Sequence, residues 1–218
     1  MKLNQIAPVM TMRILAAAAV AALFCSCAAT SVKSTSKAPD YQGGRINNLA
    51  ALAIDERPLL RQGFENRFVN QLRKGGATAI TTFNLLPLDE ISHDKPAAAE
   101  RFRSAGAEAL VTIRLVDSAT YYREFRSGPE RYAETITGFQ PGMWYDYYSV
   151  AFMDMSTTYG SSKQQIYLET IVFDLKTAKR LWSGLTETVV TDNMDRVAEM
   201  DPLVEKVVAS MRKDGVVP

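Results

Sequence analysis

Residues 46–83 read INNLAALAIDERPLLRQGFENRFVNQLRKGGATAITTF, and the fold class turns on how this stretch divides. Its first part, INNLAALAID (46–55), is a short apolar run that ends in ERP, the pattern of a buried strand meeting the start of a helix. Pro58 suits the first helical turn, where a missing N–H costs nothing. Leu60, Phe64, Phe68 and Leu72 then recur every four residues and make one stripe of an amphipathic helix. Arg73 and Lys74 complement the carbonyl end of that helix, and Gly75–Gly76 closes it. ATAITTF (77–83) follows as a second strand, so the stretch is a β-α-β unit.

Working outward, NLLPLDEISHDKP reads as a connecting loop, and Pro96 opens a second helix over roughly 96–105 that Gly106 stops. A third, long strand lies in AEALVTIRLVDSATYYREF. QQIYLETIVFDL and KRLWSGLTETVV are two alternating runs joined by KTA, a β-hairpin pattern. Met194, Val197, Val204, Val208 and Met211 mark a carboxy-terminal helix, with Pro202 pointing to a kink or a fresh start near Asp201. The expected fold is therefore α/β (α+β): one β-α-β-α-β domain over 46–218, then a hairpin and a final helix, with the helices packed on one mixed sheet.

Upstream, Lys2 and Arg13 precede an apolar stretch from Ile14 to Phe24, and no acidic residue occurs before Asp40. This is the composition of a secretory signal, and it is well short of the ~20 apolar residues a spanning helix needs. Met12 is an alternative start that keeps Arg13 in the basic region. The following LFCSCAAT resembles the box that closes bacterial lipoprotein signals, with Ser26 last in the signal (1–26) and Cys27 first in the mature chain. A cut before Cys25 would put bulky Phe24 at a position that takes small residues. The resemblance implies lipid attachment at Cys27, and Ala28 in place of an aspartate points to the outer membrane. Cys25 and Cys27 are the only cysteines and have no further Cys or His ligands nearby, so a metal or redox pair is not expected.

Of the 218 residues, 192 lie from Cys27 onward, enough for one domain with a packed core. Without Lys2 and Arg13, 23 of the 25 basic residues remain against 24 acidic ones. Such a balance provides no field for nucleic acid. Residues 27–45 continue as AATSVKSTSKAPDYQGGR after the cysteine, a composition that reads as a lipidated flexible tether.

Residues 121–159 hold eleven of the twenty aromatic residues, crowded in GMWYDYYSVAFMDMSTTYG, and the insertion is taken to span about 121–160. Three readings stand side by side. The rings can pack over the sheet as a long meander. Trp144, Tyr145, Tyr147, Tyr148 and Phe152 can instead form a partner surface, since such residues concentrate at contact cores. Alternation along 144–155 also allows one strand of a membrane-inserting hairpin, although it lacks a clean partner.

Chemistry is sparse. His93 is the sole histidine, and no G-x-S-x-G, P-loop or dinucleotide fingerprint occurs. Asp89, Glu90, Glu124 and Glu130 are spaced like solvated charges. The expectation is a protein without enzymatic activity, cofactor or metal.

With these elements placed, LLRQGFENRFVNQLRKGGATAITTFNLLP, AGAEALVTIRLV and YLETIVFDLKTAKRLWSG resemble small bacterial envelope lipoproteins with the fold of the TolB amino-terminal domain. The penicillin-binding-protein activator lipoproteins and the curli secretion lipoprotein share that fold. The resemblance covers about half the mature chain and implies a periplasmic domain that binds another envelope protein, for cell-wall synthesis, secretion or outer-membrane integrity. An envelope hydrolase using a carboxylate pair and a subunit of an oligomeric outer-membrane pore are the alternatives.

Overall fold

The structure is a computed structural model and describes residues 30–116, 143–155, 165–189 and 200–218. Eleven elements occur in these residues: β1 (Thr30–Lys37), β2 (Asn48–Ala53), α1 (Pro58–Lys74), β3 (Thr78–Thr81), α2 (Leu88–His93), α3 (Lys95–Ser104), β4 (Ala109–Val116), α4 (Trp144–Met155), β5 (Gln165–Asp174), β6 (Arg180–Val189) and α5 (Met200–Lys213). The six strands form one mixed sheet in the order β1-β6-β5-β4-β2-β3. β2 runs parallel to β3 and β4, and the β4-β5-β6-β1 pairs are antiparallel. The expected β-α-β-α-β order, hairpin and final helix are all present.

Helices cover both faces of this sheet, and β2 shows why. Leu49, Ala51 and Ala53 join a core with Phe64, Phe68 and Leu72 of α1 and Leu203, Val204, Val208 and Met211 of α5. Ala50, Leu52 and Ile54 point the other way, into a second core with Ile91 of α2, Ala98 and Phe102 of α3, and Trp144, Tyr147, Tyr148 and Ala151 of α4. A strand buried on both faces is apolar throughout, which is how LAALA (49–53) reads. Burial of each large side chain contributes about 1.5–3 kcal/mol.

The ends of the elements follow local chemistry. Pro58 sits in the first turn of α1, and Gly76, at φ 96°, lets the chain turn out of it into β3. Asp94 caps α3 by accepting the Ala97 N–H at 2.9 Å. In the β5–β6 turn one Asp174 carboxylate oxygen accepts the Lys176 N–H, the Thr177 N–H and the Thr177 hydroxyl, at 2.6–2.9 Å. Pro202 is the third described residue of α5; Met194 and Val197 lie outside the described residues.

Three expectations need correction. The tether expected over 27–45 does not extend across 30–37, because these residues form β1, paired along its length with β6. Its side chains after Thr30 are all exposed, so backbone pairing holds it and no apolar pattern announces it. The loop expected between β3 and α3 contains α2, which places Asp89 and Glu90 in a first helical turn. The aromatic stretch 144–155 is a helix, neither a meander nor a strand of a membrane hairpin. Cys27, Glu124, Glu130 and the remainder of the insertion lie outside the described residues.

Candidate functional site

The carboxyl ends of β2 and β3 lead into loops that border an open, shallow hollow of about 570 Å³, lined by Asp55, Glu56, Pro58, Arg61, Phe83, Asn84, Leu85, Leu86, Pro87, Leu88 and Asp89. Parallel strands commonly deliver ligand-contacting loops at this end, because both chains leave the sheet there and diverge into helices. The lining is largely apolar, with Glu56 and Asp89 exposed beside it.

Beneath the hollow lies a buried charged network. Arg61 and Glu65 are one helical turn apart on α1, and their side chains are 5% and 0% exposed. Arg61 donates Nε to Glu65 Oε1 at 3.0 Å, and Nη2 to Thr82 Oγ1 at 3.3 Å and to the Leu86 carbonyl at 2.9 Å. Its guanidinium also lies 5.5 Å from the centre of the Phe83 ring. Glu65 accepts from Ala53 N at 3.2 Å, Thr82 Oγ1 at 3.1 Å and Phe83 N at 2.7 Å. One ion pair thus clamps α1 to the loops after β2 and β3 and sets the walls of the hollow. Burial raises the Glu65 carboxyl above its ordinary value, against the opposing pull of Arg61 and the Phe83 and Ala53 N–H groups. On the rim, Asp55 is held by Arg57 through its backbone N, Nε and Nη2 at 2.7–2.9 Å.

A second buried network stands on the same end of the sheet. Arg114 of β4 and Glu169 of β5 are directly opposed in register. Arg114 Nε and Nη2 both reach Glu169 Oε2, at 3.0 and 2.9 Å, and the Tyr147 hydroxyl donates to the same oxygen at 2.8 Å. This cluster pins α4 to the sheet.

That placement decides the fate of the expected partner surface. Trp144 and Tyr148 are 0% exposed and Tyr147 is 5% exposed, so these three are core residues and not a displayed face. Tyr145 is half-buried against the same cluster, and the Phe152 side chain lies outside the described residues. The Trp144 and Tyr148 rings meet nearly edge-on at 77°, with centroids 6.0 Å apart. The Tyr148 hydroxyl donates to the Leu88 carbonyl at 2.8 Å, and burial raises its ionisation far above the usual tyrosine range. The physical reason is the spacing: residues 144, 147, 148 and 151 lie on one helical face, and that face is turned to the sheet.

His93 ends α2, its Nδ1 2.9 Å from the Asp89 carbonyl oxygen, with no nucleophile motif beside it. Among the described residues no cluster of three or more His, Cys, Asp or Glu side chains could hold a metal ion. No helix among them is long and apolar enough to cross a membrane. Sequence reasoning missed both ion-pair networks. Their signals were a charged residue on the apolar side of a helix (Arg61, Glu65) and one charge in each of two apolar strands (Arg114, Glu169).

No family model matches the chain. No curated protein matches it in sequence. Among solved structures, the PelC dodecamer from Paraburkholderia phytofirmans is similar at 13% identity, over 83% of this chain and 95% of that one, with a TM-score of 0.45. Lipoprotein GNA1162 from Neisseria meningitidis is similar at 15% identity, over 76% of this chain and 96% of that one, with a TM-score of 0.40.

Proposed function

We propose that this chain is a non-enzymatic envelope protein of the outer membrane, anchored by lipid on Cys27, whose periplasmic domain binds another envelope protein. The binding surface in this reading is the hollow at the carboxyl ends of β2 and β3, and no longer the rings of α4. Its carrying observation is the shape and saturation of that hollow: an apolar lining, with the Arg61, Glu65 and Asp55 charges already committed to each other and to Arg57. Charges held this way fix the walls and leave little for acid–base work. The exposed Glu56 and Asp89 on the rim complement a cation, so the occupant is a segment with an apolar side chain beside a basic one.

The test is site-specific photo-crosslinking in cells. A crosslinking residue at exposed Asn84 should give one discrete adduct, and the double change Glu56→Lys and Asp89→Lys should abolish it. The same residue at Lys176, in the β5–β6 turn, should give none. An adduct that survives the double charge reversal refutes this docking mode. Loss of membrane fractionation in Cys27→Ser checks the anchor separately.

A further inference from the structure

We infer that the sheet end carrying Thr30 faces the membrane and rests against the lipid surface. This deepens the preceding reading and rests on its lipid at Cys27. Only Ala28 and Ala29 stand between Cys27 and Thr30, so even fully extended chain gives the anchor about 11 Å of reach. Thr30 is no loose end. It starts β1 opposite Thr188, its hydroxyl lies 3.0 Å from the Thr188 hydroxyl, and the Lys206 ammonium is bonded to its carbonyl oxygen. A domain held this closely cannot stand off from its anchor.

Register shows what else shares that end. β6 reaches that end with Val189 opposite Gln165 of β5, and β4 reaches it with Val116 opposite Tyr167. Because β2 and β3 run parallel to β4's direction, their carboxyl ends point the same way, and with them the hollow and the first turn of α1. The opposite end holds the β5–β6 turn with exposed Lys176, about 30 Å away along a ten-residue strand.

An independent observation agrees. Among the described residues the exposed large apolar side chains are Val32, 39% exposed, and Leu59, 82% exposed. Val32 is the third residue of β1 and Leu59 the second of α1, so both stand at the Thr30 end, on opposite sides of the sheet's width. Among the described residues, apolar side chains are left in water at two separated points of this end and at none of the other, which fits contact with a lipid surface. It follows that the hollow opens beside the membrane, and its occupant is a segment presented at the membrane surface.

The test uses the full, lipidated protein in vesicles of phosphatidylethanolamine and phosphatidylglycerol carrying a headgroup quencher. Leu59→Cys and Lys176→Cys are labelled in turn with a fluorophore. Quenching should be several-fold stronger at position 59 than at 176. Inserting twenty Gly/Ser residues between Ala29 and Thr30 adds roughly 25 Å of root-mean-square reach. It should lower quenching at 59 while membrane retention stays unchanged. Equal quenching at the two positions, or no response to the insertion, overturns the orientation. A label at 59 shielded without lipid quenching, together with a doubled mass on sizing, assigns the patch to a second copy and also overturns it. If Cys27→Ser remains on the membrane, the anchor itself is wrong and the orientation falls with it. If Cys27→Ser is released yet positions 59 and 176 quench alike, the orientation alone fails.

Discussion

Replacing Arg61 by methionine tests the clamp beneath the hollow. The substitution keeps much of the stem volume and removes every donor that Arg61 directs at Glu65, Thr82 and the Leu86 carbonyl. Glu65 then stays fully buried with only the Ala53 and Phe83 N–H groups and the Thr82 hydroxyl. Breaking a buried pair by removing one partner costs about 3–5 kcal/mol. That is a large part of the ~5–15 kcal/mol that holds a domain together. Its pH dependence separates this cause from a packing defect. The Glu65 carboxyl already titrates above its usual 4.5, and losing Arg61 removes two of the influences that hold it down. A raised folded-state value favours the folded state below the unfolded value and loses that advantage as pH rises through the folded one. The deficit of Arg61→Met should therefore be largest near pH 8 and narrow on acidification, by at most about 1.4 kcal/mol per pH unit. Urea unfolding of wild type and variant at pH 8 and 5.5, with equal slopes, measures it. A deficit below about 1 kcal/mol at pH 8, or one that widens at pH 5.5, refutes the clamp.

Trp144→Ala should cost about 3–5 kcal/mol and lower the thermal midpoint, because it empties a fully buried site; a change near zero would return the ring to the surface. Gly184→Ala should destabilise by about 1–3 kcal/mol, since a Cβ there collides with the Trp182 ring, whose Nε1 donates to Asp214 at 2.8 Å; unchanged unfolding would contradict that contact. Glu187 is held below 4.5 by Lys33 and the Tyr167 hydroxyl, so its contribution is present above 4.5 and fades as pH falls through the lowered value. An NMR titration of its carboxyl carbon should show that low midpoint, and Lys33→Ala should move it up. In an alkaline absorbance titration Tyr148 should stay un-ionised until the protein unfolds; an early, reversible ionisation equal to the full tyrosine count would refute its burial.

Much of the architecture was legible because β2 is apolar on both faces, α1 and the hairpin carry a period that burial enforces, and Pro96 and Gly106 bracket α3. Phe64, Phe68 and Leu72 repeat at helical spacing because one side of α1 meets the sheet. β1 was illegible for the opposite reason: an edge strand exposed on both faces shows no apolar alternation, and TSVKSTSK looks like a linker. α4 was misread because alternation and helical spacing overlap in a segment where almost every residue is large. The 144-147-148-151 stripe was present, but only the neighbouring sheet selects it. The hollow depends on loops brought together by β2 and β3 from opposite ends of α1, so no local stretch encodes it. Lipid attachment at Cys27 rests on the sequence alone.

The polar edge strand also has a mechanical side. β1 and β6 are antiparallel and joined by a ladder that runs from Thr30 to Lys37. Under the anchoring proposed above, a pull transmitted through a lipid at Cys27 and directed away from the Thr30 end would act along the axis of β1, so the ladder bonds would be loaded together in shear. They would not peel one at a time. Tension between membrane and domain would thus be borne first by backbone pairing on a strand that buries almost no apolar surface, and α5, bonded to it through Lys206 at one end and through Lys37 to the Asp214 carbonyl at the other, would share that load.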